Sequence, residues 1–182
     1  MKLIVRKLFI NFEKEEKWLN QMAAKGLFLI DYSFGRYVFD KGLPGEYSYR
    51  IELLDQLPSS VESRAYLEFM ESAGVECVAT YFRWVYFRKS SKEGPFDLYS
   101  DYDSKIKHYK KVATFTAIAG FLNLFVALSN THVALGSIGE GNGVVLLALT
   151  SLNWLIVVLL APMIYSFIRT IRHLKREKQL YE

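Results

Sequence analysis

Two uninterrupted apolar stretches dominate the second half of the chain. Val112–Asn130 and Val144–Ile168 contain no Asp, Glu, Lys or Arg. Each is about as long as the roughly 20 residues a helix needs to cross the hydrocarbon layer. A helix on a soluble domain shows charge along one side, because that side meets water. The pattern therefore predicts a transmembrane hairpin over 112–168, with spans at 112–130 and 144–168. The first half runs in two other rhythms, the two-residue period of strands and the 3.6-residue period of helices.

Lys2–Ile10 alternates and is rich in β-branched residues, which predicts a strand. Asn11 is a candidate N-cap for a helix on which Phe12, Trp18, Leu19 and Met22 recur at helical spacing, and Gly26 ends it. Leu27–Phe34 alternates again, Gly35 turns or bulges the chain, and Arg36–Asp40 continues extended. A Gly/Pro turn at 41–45 leads into a return strand, Glu46–Leu54. Ser59 and Glu62 have capping-box spacing for a second helix, whose apolar stripe is Tyr66, Phe69, Met70 and Ala73 and whose end is Gly74. Val75–Lys89 is extended and long for one strand, so a bulge or bend is expected near 79–83. Phe96–Tyr99 reads as a short edge strand, and 101–111 as a basic helix entering the membrane. The order βαββαβ predicts a ferredoxin-like α+β sandwich over 1–100, an antiparallel sheet with two helices on one face. The open face would dock the membrane surface, a second copy, a partner or a flat apolar ligand.

Charge orients the hairpin. Lys105, Lys107, Lys110 and Lys111 precede the first span, and Arg169, Arg172, Lys175, Arg176 and Lys178 follow the second. The loop between, Thr131–Gly143, holds Glu140, four glycines and no Lys or Arg. Positive charge stays inside, so both termini and the first half should be cytoplasmic in a two-pass protein of the cell membrane. Lys107, Lys110, Lys111, Arg169, Arg172 and Lys175 are placed to meet anionic lipid headgroups. That accounts for a net charge of +4 and a pI near 9.0 without direct binding of nucleic acid. On the first span Ala113, Thr116, Ala117, Gly120, Asn123 and Ala127 share a face on which a helix can approach closely. Asn153, with Thr150, is the candidate partner of Asn123; the alternative is that each Asn bonds its own backbone or a neighbouring chain. Pro162 should kink the second span.

The residues that carry chemistry elsewhere are scattered here. His108, His132 and His173 have no metal-ligand spacing and read as solvated. Asp97, Asp101 and Asp103 lack the ordered ligand series of a calcium loop and suit turns and helix caps. The single Cys77 reads as a small buried hydrophobe. No catalytic residue, metal or cofactor site is expected. Phe28, Tyr32, Tyr37, Tyr49, Trp84 and Tyr86 would either line a groove for an amphipathic or cationic compound or form core and sheet surface. Arg50, Arg83 and Arg88 would bind an anion or pair with Glu52 and its neighbours.

The segments 13–20, 49–52, 69–76, 83–89 and 98–111 carry Glu-Lys-Glu-Glu-Lys-Trp-Leu-Asn, Tyr-Arg-Ile-Glu, Phe-Met-Glu-Ser-Ala-Gly-Val-Glu, Arg-Trp-Val-Tyr-Phe-Arg-Lys and, from 98, Leu-Tyr-Ser-Asp then Ser-Lys-Ile-Lys-His-Tyr-Lys-Lys. These resemble the bacterial membrane proteins catalogued as the domain of unknown function 2812 family. The resemblance covers about residues 1–111, and it implies Gram-positive bacteria and a gene beside a PadR-like transcriptional repressor. It offers no catalytic residues. The expected function is a membrane-anchored cytoplasmic regulatory module without catalysis, binding a protein such as that repressor. Other readings are a small-molecule sensor or resistance accessory that uses the aromatic groove, or a subunit of a membrane transporter complex joined through Thr116, Ala117 and Gly120. A homo-oligomer fits any of them.

Overall fold

The computed structural model describes residues 2–99, 101–137 and 143–181. The chain divides into two compact units, Met1–Ser100 and Asp101–Glu182.

The first unit is α+β. Its elements are β1 (Leu3–Arg6), α1 (Phe12–Ala23), β2 (Leu27–Ser33), β3 (Arg36–Lys41), β4 (Tyr47–Leu53), α2 (Val61–Ser72), β5 (Glu76–Tyr81) and β6 (Trp84–Ser90). They form two three-stranded antiparallel sheets, ordered β1-β3-β2 and β4-β6-β5. This differs from the single sheet of the expected ferredoxin-like sandwich. The cause is local. Val75–Lys89 breaks into a hairpin at Phe82, which takes φ +55°, and the resulting sixth strand claims β4 as its partner. Phe96–Tyr99, expected as an edge strand, is irregular, and Phe96 packs into the core instead.

The unit is a βαββ motif written twice. Each half has the strand order first–third–second, and each has a register shift in its second strand, between Leu29 and Asp31 and between Cys77 and Ala79. At one constant spacing, Leu19, Met22 and Gly26 recur as Leu67, Met70 and Gly74, and Phe34 and Phe39 as Phe82 and Phe87. The helix ends explain part of this. Gly26 and Gly74 both take positive φ, +74° and +79°, a conformation a side chain disfavours. A Cβ on Gly26 would also lie 2.5 Å from the Gly42 carbonyl oxygen.

Each helix starts on a side-chain cap. Asn11 Oδ1 accepts from the Glu13 and Lys14 amides at 2.8 and 3.1 Å. Ser60, not Ser59, caps α2 by accepting from the Ser63 amide. Leu19, Ala23, Leu29, Tyr37, Phe39, Tyr49, Ile51 and Tyr86 form the core around α1. Leu54, Met70, Val75, Val85, Phe87 and Phe96 form the core around α2. Strand β6 serves both: Tyr86 points to the first core, while Val85 and Phe87, one residue either side, point to the second.

The second unit is two long helices, α3 (Tyr102–Gly136) and α4 (Gly143–Tyr181). They are antiparallel: Tyr109 meets Phe167, Gly120 meets Leu160 and Ile164, and Asn123 meets Asn153. The basic segment 101–111 is not a separate helix but the first turns of α3. Likewise Thr131–Gly136, expected in the loop, continues α3, and α4 runs on through Pro162. At about 1.5 Å per residue both helices are longer than the roughly 30 Å of a hydrocarbon layer, and both are apolar enough to cross one. Glu140, Gly139 and Gly141 of the expected loop lie outside the described residues.

Candidate functional site

Glu15 on α1 is a buried polar group of the first unit that reaches both sheets. Its side chain is 7% exposed. The hydroxyls of Tyr37 on β3 and Tyr86 on β6 both donate to its Oε1, each at 2.7 Å. One carboxylate on one helix thus joins the two sheets. Burial raises its pKa above the usual carboxylate value, and the two tyrosine donors oppose that rise. The same burial, reinforced by the carboxylate, pushes both phenols far above their usual range.

The next turn of α1 closes a sheet edge. Asn20 Oδ1 accepts from the Tyr49 amide at 2.9 Å, and its Nδ2 donates to the Tyr49 carbonyl at 3.0 Å. Glu16 Oε2 accepts from the Ile51 amide at 2.9 Å. Glu16 and Asn20, one helical turn apart, therefore stand where another strand would pair with β4. Burial raises the Glu16 pKa, while the Ile51 amide and Arg50 lower it.

The aromatic residues singled out by sequence are mostly in this interior. Tyr37, Tyr49 and Tyr86 are 1%, 0% and 3% exposed. Tyr32 packs its ring 4.8 Å from Tyr37 and 4.5 Å from Tyr86. Tyr49 accepts the Leu29 amide on its hydroxyl. Trp84 packs on Phe12, and Phe28 on Tyr47. As placed, they are core side chains that join the two halves. The arginines are partnered: Arg50 with Glu16 at 3.5 Å, Arg88 with Glu76 through two 2.8 Å bonds, and Arg83 with the Leu54 and Asp55 carbonyls. Glu52, expected as their counter-ion, accepts instead from the Tyr66 hydroxyl at 2.7 Å.

A surface feature was missed. Arg6, Lys7 and Leu8, at the end of β1, and Ser33, Phe34, Gly35 and Arg36, at the β2–β3 turn, line a cleft of about 650 Å³. Leu8 and Phe34 are each 72% exposed. Phe34 has φ +26° at its hairpin turn, as Phe82 has φ +55° at the other. The repeat of Phe34 as Phe82 was the available signal.

In the helical hairpin, the small-residue face of α3 turns toward α4. Ala113, Thr116 and Ala127 are buried, and a Cβ on Gly120 would lie 3.5 Å from Ile164. Ala117, one residue off this row, is half-buried. Asn123 Nδ2 donates across the hairpin to the Asn153 backbone carbonyl at 2.9 Å, not to its side chain. Trp154 Nε1 donates to Thr131 Oγ1 at 3.0 Å. Thr116 and Thr150 bond carbonyls of their own helices. Lys107, Lys110, Arg169, Arg172 and Lys175 are exposed and Lys111 is half-buried.

The remaining candidates have local roles. Asp101 caps α3 by accepting from the Ser104 amide at 2.7 Å, which holds its carboxyl below the usual range. Asp103 pairs with Lys178. His108, expected to be solvated, is buried, on the helix row that continues through Val112 and Thr116. His132 is exposed, and exposed His173 lies 3.5 Å from Glu177. Cys77 is half-buried, and burial raises its thiol pKa. Among the described residues no His, Cys, Asp and Glu side chains gather in a metal-holding group.

No curated protein and no solved structure matches the chain. A family model described as "Protein of unknown function (DUF2812)" matches residues 11–121, from the cap of α1 into the first apolar helix. The match takes in more than half of the chain, and the chain belongs to the DUF2812 family.

Proposed function

We propose that the chain is a membrane-anchored regulatory module without catalytic activity. In this reading α3 and α4 cross the cell membrane as a two-pass hairpin, both termini are cytoplasmic, and the α+β unit binds a protein. The resemblance makes a PadR-like transcriptional repressor the first partner to test. The observation that carries the reading is the pair of helices. Their mean hydropathies reach 1.9 and 2.5, and only 6% of the apolar window of α4 is buried within the chain. Phe121, Phe125, Leu149, Leu152 and Val158 stand exposed, far more apolar surface than water favours. Lipid satisfies such surface, and the basic residues at the polar helix ends suit anionic headgroups.

The interior of the α+β unit supports a binding role. Glu15, Glu16 and Asn20 are the polar groups that a buried active site would use, and each is engaged in holding strands together. Affinity purification of the full chain from native membranes, with mass spectrometry of what accompanies it, tests the proposal. Recovery of the repressor, with derepression on deletion, is the expected result. Repeated failure to recover it, with repression unchanged on deletion, refutes the regulatory reading. A chain that stays soluble without detergent refutes the anchor.

A further inference from the structure

We infer that the two hairpin tips of the α+β unit form a docking surface for an anionic membrane. Leu8, Phe34 and Phe82 enter the interface, and Arg6, Lys7 and Arg36 meet lipid phosphates. The inference rests on the membrane-anchored reading above.

The first argument is backbone strain. Phe34 and Phe82 are the two described non-glycine residues with positive φ, and they occupy the corresponding turn of each half. A left-handed turn position favours Gly, Asn or Asp, whose short or absent side chains fit it. Here both halves place a phenyl ring there and leave it 72% and 58% exposed. Both rings thus combine a strained turn position with a largely exposed surface. Backbone strain of this kind collects where a side chain must be presented.

The second argument is continuity. Phe34 lies 6.1 Å from the half-exposed Tyr81 ring, the residue before Phe82, so the first tip reaches the strand that leads to the second. Leu8 borders the first tip: a Cβ on Gly35 would sit 2.6 Å from Leu8 Cδ2.

The third argument is charge. Arg6, Lys7 and Arg36 line the cleft beside that tip. Asp31, 3.3 Å from Arg36, is the acidic group paired with it, which leaves the cleft net positive. Lys7 also holds its ammonium 4.6 Å from the Phe9 ring centre and 5.0 Å from that of Trp18, beside the cleft. An apolar tip with a basic collar matches the acyl–headgroup boundary of an anionic bilayer. A second copy would set these cations against their equals. An acidic protein remains the alternative outcome. The membrane is favoured because, in the reading above, the same chain is tethered to a bilayer, which raises the effective concentration of lipid around the unit.

The test uses the full chain in nanodiscs of phosphatidylcholine alone, or of phosphatidylcholine with phosphatidylglycerol. In a Cys77→Ala background, the fluorophore NBD is attached at Phe34→Cys and, as a control, at Glu62→Cys on α2. The expected result is quenching by brominated lipid at position 34, at least twofold stronger with phosphatidylglycerol and absent at 62. Combined Arg6→Gln and Arg36→Gln should abolish the difference between lipids. Amide exchange of the unlabelled chain should slow at 33–36 and 81–84 in the anionic discs. A tip equally open to aqueous iodide in both discs, or quenched equally in both, overturns the inference. A tip shielded only when other membrane proteins are present also overturns it and assigns the surface to a protein. Failure of the chain to enter the discs refutes the anchor instead, which separates the two claims.

Discussion

Replacing Tyr86 by Phe isolates the bond that joins the second half of the module to Glu15. The ring stays, so no cavity opens, and its contact with Tyr32 at 4.5 Å is kept. What is lost is one hydroxyl 2.7 Å from a carboxylate that is 7% exposed. A hydrogen bond to a charged group contributes about 1.5–3 kcal/mol. For a unit of this size that lowers Tm by on the order of 10 °C. The cost should depend on pH, and the sign follows from burial. Burial makes the native Glu15 carboxyl hold its proton to higher pH than the unfolded chain does. The native state therefore binds more protons, and stability falls as pH rises from the unfolded pKa through the raised native one. Tyr86 and Tyr37 oppose that loss by stabilising the ionised form. Removing Tyr86 should steepen the fall, so the variant is penalised fully above the native pKa and only slightly near pH 4. The assay is thermal unfolding of the full chain in detergent, followed by Trp18 and Trp84 fluorescence in a Trp154→Phe background, from pH 4 to 8. A penalty below about 0.5 kcal/mol at pH 8, or one equal at both ends of the range, would refute the reasoning.

Other predictions are simpler. Asn20→Ala removes both bonds to the Tyr49 peptide; it should cost about 1–3 kcal/mol and speed exchange of the Tyr49 amide, read by hydrogen exchange. Gly26→Ala should cost more than Gly45→Ala in chemical unfolding. Both have φ near +74°, each costing about 1–2 kcal/mol with a side chain, but only Gly26 would also clash with the Gly42 carbonyl. Asn123→Leu should weaken the α3–α4 hairpin by only about 0.6 kcal/mol, because an unpaired chain in lipid also finds partners; a steric-trap measurement in bicelles would show it.

The apolar spans, the cap at Asn11, the glycine at 26 and the small-residue face of α3 were all legible, because each depends on neighbours within a turn or on composition over a long window. The second hairpin was not. Val75–Lys89 has an unbroken extended pattern, and its turn at Phe82 and Arg83 carries no Gly, Asn or Pro to mark it. The βαββαβ order counts four strands where the structure has six: the turn at Phe82 went unread, and Leu27–Asp40 was merged across Gly35, and the single ferredoxin-like sheet followed. The repeated Leu-x-x-Met-x-x-x-Gly at 19–26 and 67–74 would have revealed the turn, since it sets Phe82 opposite Phe34 and hence a hairpin opposite a hairpin. The roles of Glu15, Glu16 and Asn20 were hidden for a different reason. On a helical wheel they read as part of a solvated face, and only the closeness of β4 and β6 gives them partners.

Those three residues also explain why two similar halves give an unsymmetrical module. In the first half α1 carries Glu15, Glu16 and Asn20, which bond to β3, β4 and β6. At the same constant spacing α2 carries Ser63, Arg64 and Glu68. Ser63 is buried and bonds the Gln56 carbonyl nearby, while Arg64 and Glu68 are exposed. So α1 guards the edge of β4, and among the described residues Arg64 and Glu68 of α2 stand exposed where a corresponding guard of β1 would be. The unguarded strand is the one that ends in Arg6, Lys7 and Leu8. A row of unpaired backbone groups beside exposed apolar side chains is a hazard when it faces water. An edge that is guarded in one half and left open, basic and apolar in the other fits a surface whose cover lies outside the chain. Grafting the guard tests that asymmetry: Arg64→Glu with Glu68→Asn should leave stability nearly unchanged, because both positions are exposed, whereas the reverse exchange on α1 should unfold the module.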